Sequence, residues 1–182
     1  MDYTNSLFLS ELSSQNPAIL KEFQDFCIQN CIVCFSKNGH KSGTKISAYF
    51  NGTIYDFSIF WEGEISEKIT RCIGKDLNKA VDFAATAVSL SLINKINNLY
   101  AMEQSETFNG FDYYLSNDIK ESTNIFSDLP KIEISGILCE RENNSIRKRV
   151  GIKKRRLIKH KNNCVYISII EFSRPQSFLE IV

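Results

Sequence analysis

No apolar run in the sequence approaches the roughly 18 residues that a membrane helix requires. The longest candidate, Ala80 to Ile96, is interrupted by Asp82, Asn94 and Lys95. The chain opens Met1-Asp2-Tyr3-Thr4, without the basic start and apolar stretch of a secretion signal. These two absences predict a cytoplasmic protein with no membrane partner. Histidine is scarce: His40 and His160 alone, both in polar segments, leave histidine-based catalysis little to work with. There is no glycine-rich phosphate loop of the P-loop or dinucleotide type. Ser135-Gly136 lacks the Gly-x-Ser-x-Gly frame of a nucleophile elbow. Internal repeats, low-complexity tracts and linkers are missing too, so the 182 residues read as a single domain, 1–182.

Apolar residues make up 43% of the chain and charged residues 24%, the balance of a globular protein with a proper core. Three of the six cysteines, Cys27, Cys31 and Cys34, are closely spaced. A structural zinc site needs four ligands in paired short spacings, and the fourth would have to be Cys72 or His40. Buried, reduced thiols are the simpler expectation for residues set among Ile32, Val33 and Phe35.

The formal charge of +1 conceals a segregation. Residues 141–161 hold ten basic side chains against the single acid Glu142, a net +9 that leaves −8 for the rest of the chain. Charge sorted in this way suits a polyanion-facing surface. A solvated basic helix face is the alternative.

Asn16-Pro17 has the form of a helix start, Asn as cap and Pro in the first turn, with Ile19, Leu20, Phe23 and Phe26 as the apolar stripe. After the loop Asn38–Gly43, alternating segments Thr44–Phe50 and Thr53–Trp61 meet at Asn51-Gly52, a strong hairpin signal. A helical region begins near Ile65, with Ser66 as cap, and breaks at Gly74. A longer helix, about Lys75 to Asn97, carries small residues at Ala80, Ala84, Ala85 and Ala87, which permit close approach to a sheet. Strand patterns follow at Leu99–Glu106, Phe111–Leu115 and Lys131–Cys139. Next come the polar loop Ser116–Pro130, a basic helix at about Asn144 to Lys159 and a final strand at Val165–Phe172. The tail, Ser173 to Val182, reads as exposed, with an apolar end able to dock on another chain. The fold class is therefore α/β: an α-β-β-β-α-β core over 74–173, with 1–73 as an N-terminal helix and hairpin extension.

Alternation places Asp112 and Tyr114 opposite Phe111, Tyr113 and Leu115, and Glu133 and Ser135 opposite Ile132, Ile134 and Leu138. If the two polar faces coincide, Asp112 and Glu133 converge within reach of one cation, in the oxygen environment that Mg²⁺ favours. Outward faces of strands are often acidic, which is the plainer explanation of either carboxylate alone. Gly110 and Gly136 beside them suggest close approach of a ligand or of backbone. On the basic helix, Ile146, Val150 and Leu157 form an apolar seam whose missing member is Lys153. A lysine there needs a carboxylate or phosphate for its ammonium, unless the stem packs and the head reaches water.

The element order, with an Asp on the second core strand and a Glu on the third, resembles the PD-(D/E)xK nuclease superfamily, a restriction-endonuclease-like fold. The resemblance covers about residues 75–173. It departs from the motif at Phe111, where the named Pro would stand, and at Ser135, which occupies the lysine position. It implies a metal-dependent nuclease that hydrolyses phosphodiesters, with Asp112 and Glu133 holding Mg²⁺ and a lysine displaced onto the following helix. Lys153 is the candidate, with Arg149 one turn earlier. Asp82 and Glu103 are further acids of the kind this superfamily sometimes recruits. Arg147, Arg149, Lys153, Lys154 and Arg156 would grip the nucleic-acid backbone. Of the aromatics that interleave the site, Tyr113, Tyr114 and Tyr166 are of a kind that stacks on bases or sugars, and alternation assigns Tyr113 to the core. A setting in bacterial defence follows from the same resemblance. The alternative is a catalytically inactive nucleic-acid-binding or assembly subunit, with a protein partner or a second copy of the chain.

Overall fold

The computed structural model describes residues 5–63, 65, 67–73, 76–106, 109–118, 128–157 and 164–182. Among these, five α-helices and eight strands make a mixed α/β fold around one sheet. Strand β1 (Ser6–Phe8) leads through a 3₁₀ turn into the short α1 (Leu12–Gln15), then α2 (Lys21–Lys37) and the hairpin β2 (Thr44–Phe50) and β3 (Thr53–Phe60). Helices α3 (Glu67–Ile73) and α4 (Leu77–Asn97) precede β4 (Tyr100–Gln104), β5 (Tyr113–Ser116) and β6 (Lys131–Ile137). The chain ends with α5 (Ile146–Leu157), β7 (Val165–Glu171) and β8 (Gln176–Ile181). The order α-β-β-β-α-β read from the sequence is thus α4, β4, β5, β6, α5, β7. No helix is long and apolar enough to cross a membrane among the described residues.

The strands lie in the order β1-β3-β2-β8-β7-β6-β5-β4. β4, β5 and β6 run antiparallel in turn, while β6 and β7 run parallel with α5 as their crossover. The alanines of α4 do what their size permits: Ala80, Ala84, Ala85 and Ala87 are fully buried, and the helix lies close on the sheet. At Gly136 an added Cβ would stand 2.2 Å from the Val81 carbonyl oxygen of α4. The glycine beside the acidic strand therefore serves backbone approach, one of the two roles expected of it. On the opposite face, Ile146, Val150 and Leu157 of α5 pack on Ile137, Val165, Ile167 and Ile169, the seam anticipated for the basic helix.

Three sequence expectations are corrected. The segment after Ser173 is not an exposed tail, and the strand at 165–172 is not the last. β8 pairs antiparallel with β7 and parallel with β2, burying Ser177 and Leu179. Without it both neighbours would present open edges. The hairpin is consequently part of the central sheet rather than an appendage, and its Asn51-Gly52 turn has φ of 46° and 85°, as a tight primed turn requires. Asn16 does not start a helix. It ends α1, donating to the Leu12 carbonyl at 3.1 Å and accepting from the Ala101 amide at 2.8 Å, so a buried side chain ties the N-terminal segment to β4. Ser66, Gly74, Lys75, Lys159, His160 and Lys161, which figured in the sequence reading, lie outside the described residues.

Candidate functional site

The pairing of β5 with β6 is short, covering Tyr113 with Ile132 and Tyr114 with Lys131. Beyond that point the two strands part, and the next amides of β6 on that edge need other acceptors. Two carboxylates supply them. Asp112 Oδ2 accepts from the Ile134 amide at 2.6 Å, and Asp82 Oδ1 of α4 accepts from the Gly136 amide at 3.3 Å. The carbonyls on the same edge are met by cations of α5. Lys153 Nζ lies 3.4 Å from Ile134 O, and Arg149 Nη1 donates to Gly136 O at 2.6 Å. Splaying of the sheet thus gathers acids from one side and bases from the other around the free edge of β6.

The two acids expected to converge do so. Asp112 and Glu133 stand close enough for each carboxyl to shift the titration of the other. Lys153 Nζ is ion-paired with Glu133 Oε1. Burial, and then the charge of Asp112, push the Glu133 carboxyl up to about 7, against the pull of Lys153. Burial likewise raises Asp112, opposed by the Ile134 amide and by Lys153, while Asp82 adds to the rise. Two carboxyls held close in a poorly solvated place cannot both ionise freely.

Lys153 occupies the gap in the apolar seam of α5, but its head does not run out to solvent. Its side chain is 16% exposed and that of Glu133 12%, so snorkelling does not describe it. Ser135, at the departure from the motif, accepts from Arg149 Nη1 at 2.5 Å, while Arg149 Nε donates to Asn144 Oδ1 at 2.7 Å. The guanidinium of Arg149 thus reaches position 135 from α5.

A cleft of about 360 Å³ opens over this cluster, lined by Asp82, Asp112, Ser135, Arg149 and Lys153 together with Phe23, Phe83, Thr86 and Gln104. Of the basic residues expected to contact nucleic acid, Arg149 and Lys153 line it, and Arg156 joins them in an adjoining hollow. Arg147 opens instead onto a separate apolar hollow with Tyr49, Val150 and Phe178, and Lys154 is paired with Glu180 at 2.6 Å. Glu103 is exposed and borders a further hollow toward α2. Tyr166 is buried and stacked on Phe50 with ring centroids 6.4 Å apart, which removes it from any stacking role. Tyr114 packs edge-on against Phe111 at 5.0 Å, with Lys131 over both rings. His40 Nε2 lies 3.0 Å from Ser173 O. Nothing in the sequence marks Phe23 or Phe83 as lining a cleft, since an aromatic on a helix with an apolar stripe looks like ordinary core, and Gln104, at the end of β4, carries no signal.

Among the described residues, no three His, Cys, Asp or Glu side chains form a group able to hold a metal ion alone. The donor set is the carboxylate pair Asp112 and Glu133. Its oxygen-only chemistry fits a hard divalent cation that keeps several waters, because such an ion would offset the mutual repulsion that, with burial, raises the Glu133 carboxyl. Cys27, Cys31 and Cys34 are free and buried, and burial pushes the thiols of Cys27 and Cys34 up to about 12. A search of family models, of curated proteins and of solved structures finds no match to this chain.

Proposed function

We propose that the cleft hydrolyses phosphodiesters of nucleic acid with the help of Mg²⁺, in the manner of the PD-(D/E)xK nucleases. The observation that carries the reading is the meeting of Asp112 and Glu133 at the splayed β5–β6 edge, with Lys153 on Glu133. The order α4-β4-β5-β6-α5-β7 supports it. Asp112 and Glu133 would hold the cation, which when bound supplies charge neutralisation and a water of lowered pKa. Lys153 fixes the orientation of Glu133 and brings a positive charge to the site of phosphate approach. Arg149, braced by Asn144 and Ser135, adds a second fixed cation for a phosphate oxygen. Bacterial defence is the setting we propose, by analogy with that superfamily.

The test is incubation of the protein with plasmid, single-stranded DNA and RNA in Mg²⁺ or Mn²⁺, beside Asp112→Ala. Cleavage lost in the variant supports the proposal. Absence of metal-dependent cleavage on all three substrates, or cleavage untouched by Asp112→Ala, refutes it. A second reading is favoured by the self-neutralised state of the cluster, in which Lys153 pairs with Glu133 and Arg149 occupies Ser135. In that reading the chain is an inactive nucleic-acid-binding or assembly subunit, which shifts nucleic acid on a gel without cutting it.

A further inference from the structure

The cleft over the acidic pair has two unlike walls. One comes from α2 and α4 and is aromatic: Phe23 and Phe83 line it. Phe83 is braced by Phe23 at 6.0 Å and Phe26 at 5.0 Å, both edge-on. This wall runs on into a hollow of about 380 Å³ that includes Leu20 and Met102 and shares Phe23, Gln104 and Tyr113 with the cleft. Leu20 is 68% exposed and Phe26 39%, so apolar surface continues out to the rim. The other wall, from α5, is cationic. It leads into a hollow of about 210 Å³ bounded by Ser135, Arg149, Lys153 and Arg156. Two carboxylates, Asp82 and Asp112, line the cleft between the walls.

A ligand that fits such a groove is flat and apolar at one end and anionic at the other, in units that repeat along a chain. We propose that the cleft receives an unpaired strand of nucleic acid, one base against the Phe83 side and its phosphate toward Arg149 and Arg156. The proposal rests on the phosphodiester reading of the site and narrows its substrate. The geometry favours an unpaired strand for an energetic reason. In a duplex both faces of each base are already stacked, so an aromatic side chain inside a cleft gains a base only by extruding it. An unpaired strand offers its base faces at no such cost, and stacking on an aromatic side chain is tolerant of sequence. Electrostatic grip by the exposed cations of α5 adds affinity without choosing among bases.

The experiment measures fluorescence anisotropy of a labelled 12-nucleotide DNA of mixed sequence, and of a blunt hairpin duplex of the same composition, in calcium buffer. Phe83→Leu keeps an apolar side chain in the core but removes the ring, and Phe83→Trp restores a ring. Thermal melts confirm that both variants fold. The expected result is a single-strand affinity at least about tenfold above that of the duplex. Phe83→Leu should lower it about tenfold and Phe83→Trp should not, while Arg156→Gln weakens it further and flattens its salt dependence. Equal or tighter duplex binding, no effect of Phe83→Leu, or equal competition by an acidic peptide would each overturn the inference. Cleavage of the blunt duplex, abolished by Asp112→Ala but without single-strand preference, overturns this inference and leaves the hydrolytic reading standing. Single-strand preference in a protein that never cleaves does the reverse.

Discussion

Replacing Lys153 with Met keeps the stem and removes the ammonium that faces Glu133. In the wild type this pair is largely shielded, at 16% and 12% side-chain exposure, so the variant leaves a carboxylate buried beside Asp112 without its cation. Removing one partner of a buried pair costs about 3 kcal/mol or more. The cost depends on pH, because Glu133 can escape it by taking a proton. Its carboxyl already sits up at about 7 rather than at the ordinary 4.5. Between those values the folded state binds more protons than the unfolded one, so wild-type stability falls as pH rises through that window. The contribution amounts to about 3 kcal/mol. Without Lys153 the folded pKa climbs further and the window extends upward. Urea unfolding at pH 5 and pH 8 reads the difference. Lys153→Met should lose about 3 kcal/mol relative to wild type at pH 8 and less than about 1 kcal/mol at pH 5. Lys153→Met with Glu133→Gln should recover most of the loss at pH 8. A loss of equal size at both pH values, unrelieved by Glu133→Gln, would mean that the lysine contributes through its stem, and the charge argument would fail.

Gly136→Ala puts a methyl group 2.2 Å from the Val81 carbonyl, which α4 can relieve only by lifting from β6. Thermal unfolding should show a loss of about 1–3 kcal/mol, and an unchanged melting temperature would contradict the close approach. Thiol titration with an aromatic disulfide should find Cys72, Cys139 and Cys164 fast and Cys27, Cys31 and Cys34 slow, since the former are exposed and the latter buried. All six should react in denaturant, and fast reaction of Cys31 in the native protein would contradict its burial.

Local pattern made several features legible from the sequence. The Asn51-Gly52 hairpin follows from backbone conformations that few residues accept. The two-residue period of strands set Asp112 and Glu133 each opposite the apolar side chains of its own segment, which made their convergence an expectation conditional on the two polar faces coinciding. Lys153 was visible as the one gap in an apolar seam, because a charged head on a sheet-facing stripe must find a partner. The order of helix and strand patterns gave the α/β class, and the alanines of 80–87 the small-residue face of α4.

What local pattern could not reach is whatever depends on partners distant in the chain. Nothing in Gln176–Ile181 announces that it will sit between β7 and β2, because a short alternating segment is as consistent with a free end as with a central strand. Asp82 stays exposed, and only the laying of α4 across β6 brings its carboxylate to the Gly136 amide. Phe83, one residue on, became a wall of the cleft by the same placement, and Arg149 reached Ser135 only because the α5 crossover returned it over β6. The sequence by itself determined the chemistry of the side chains and the period at which they recur. Tertiary structure decided where β5 and β6 part, and so which of those groups share one poorly solvated space.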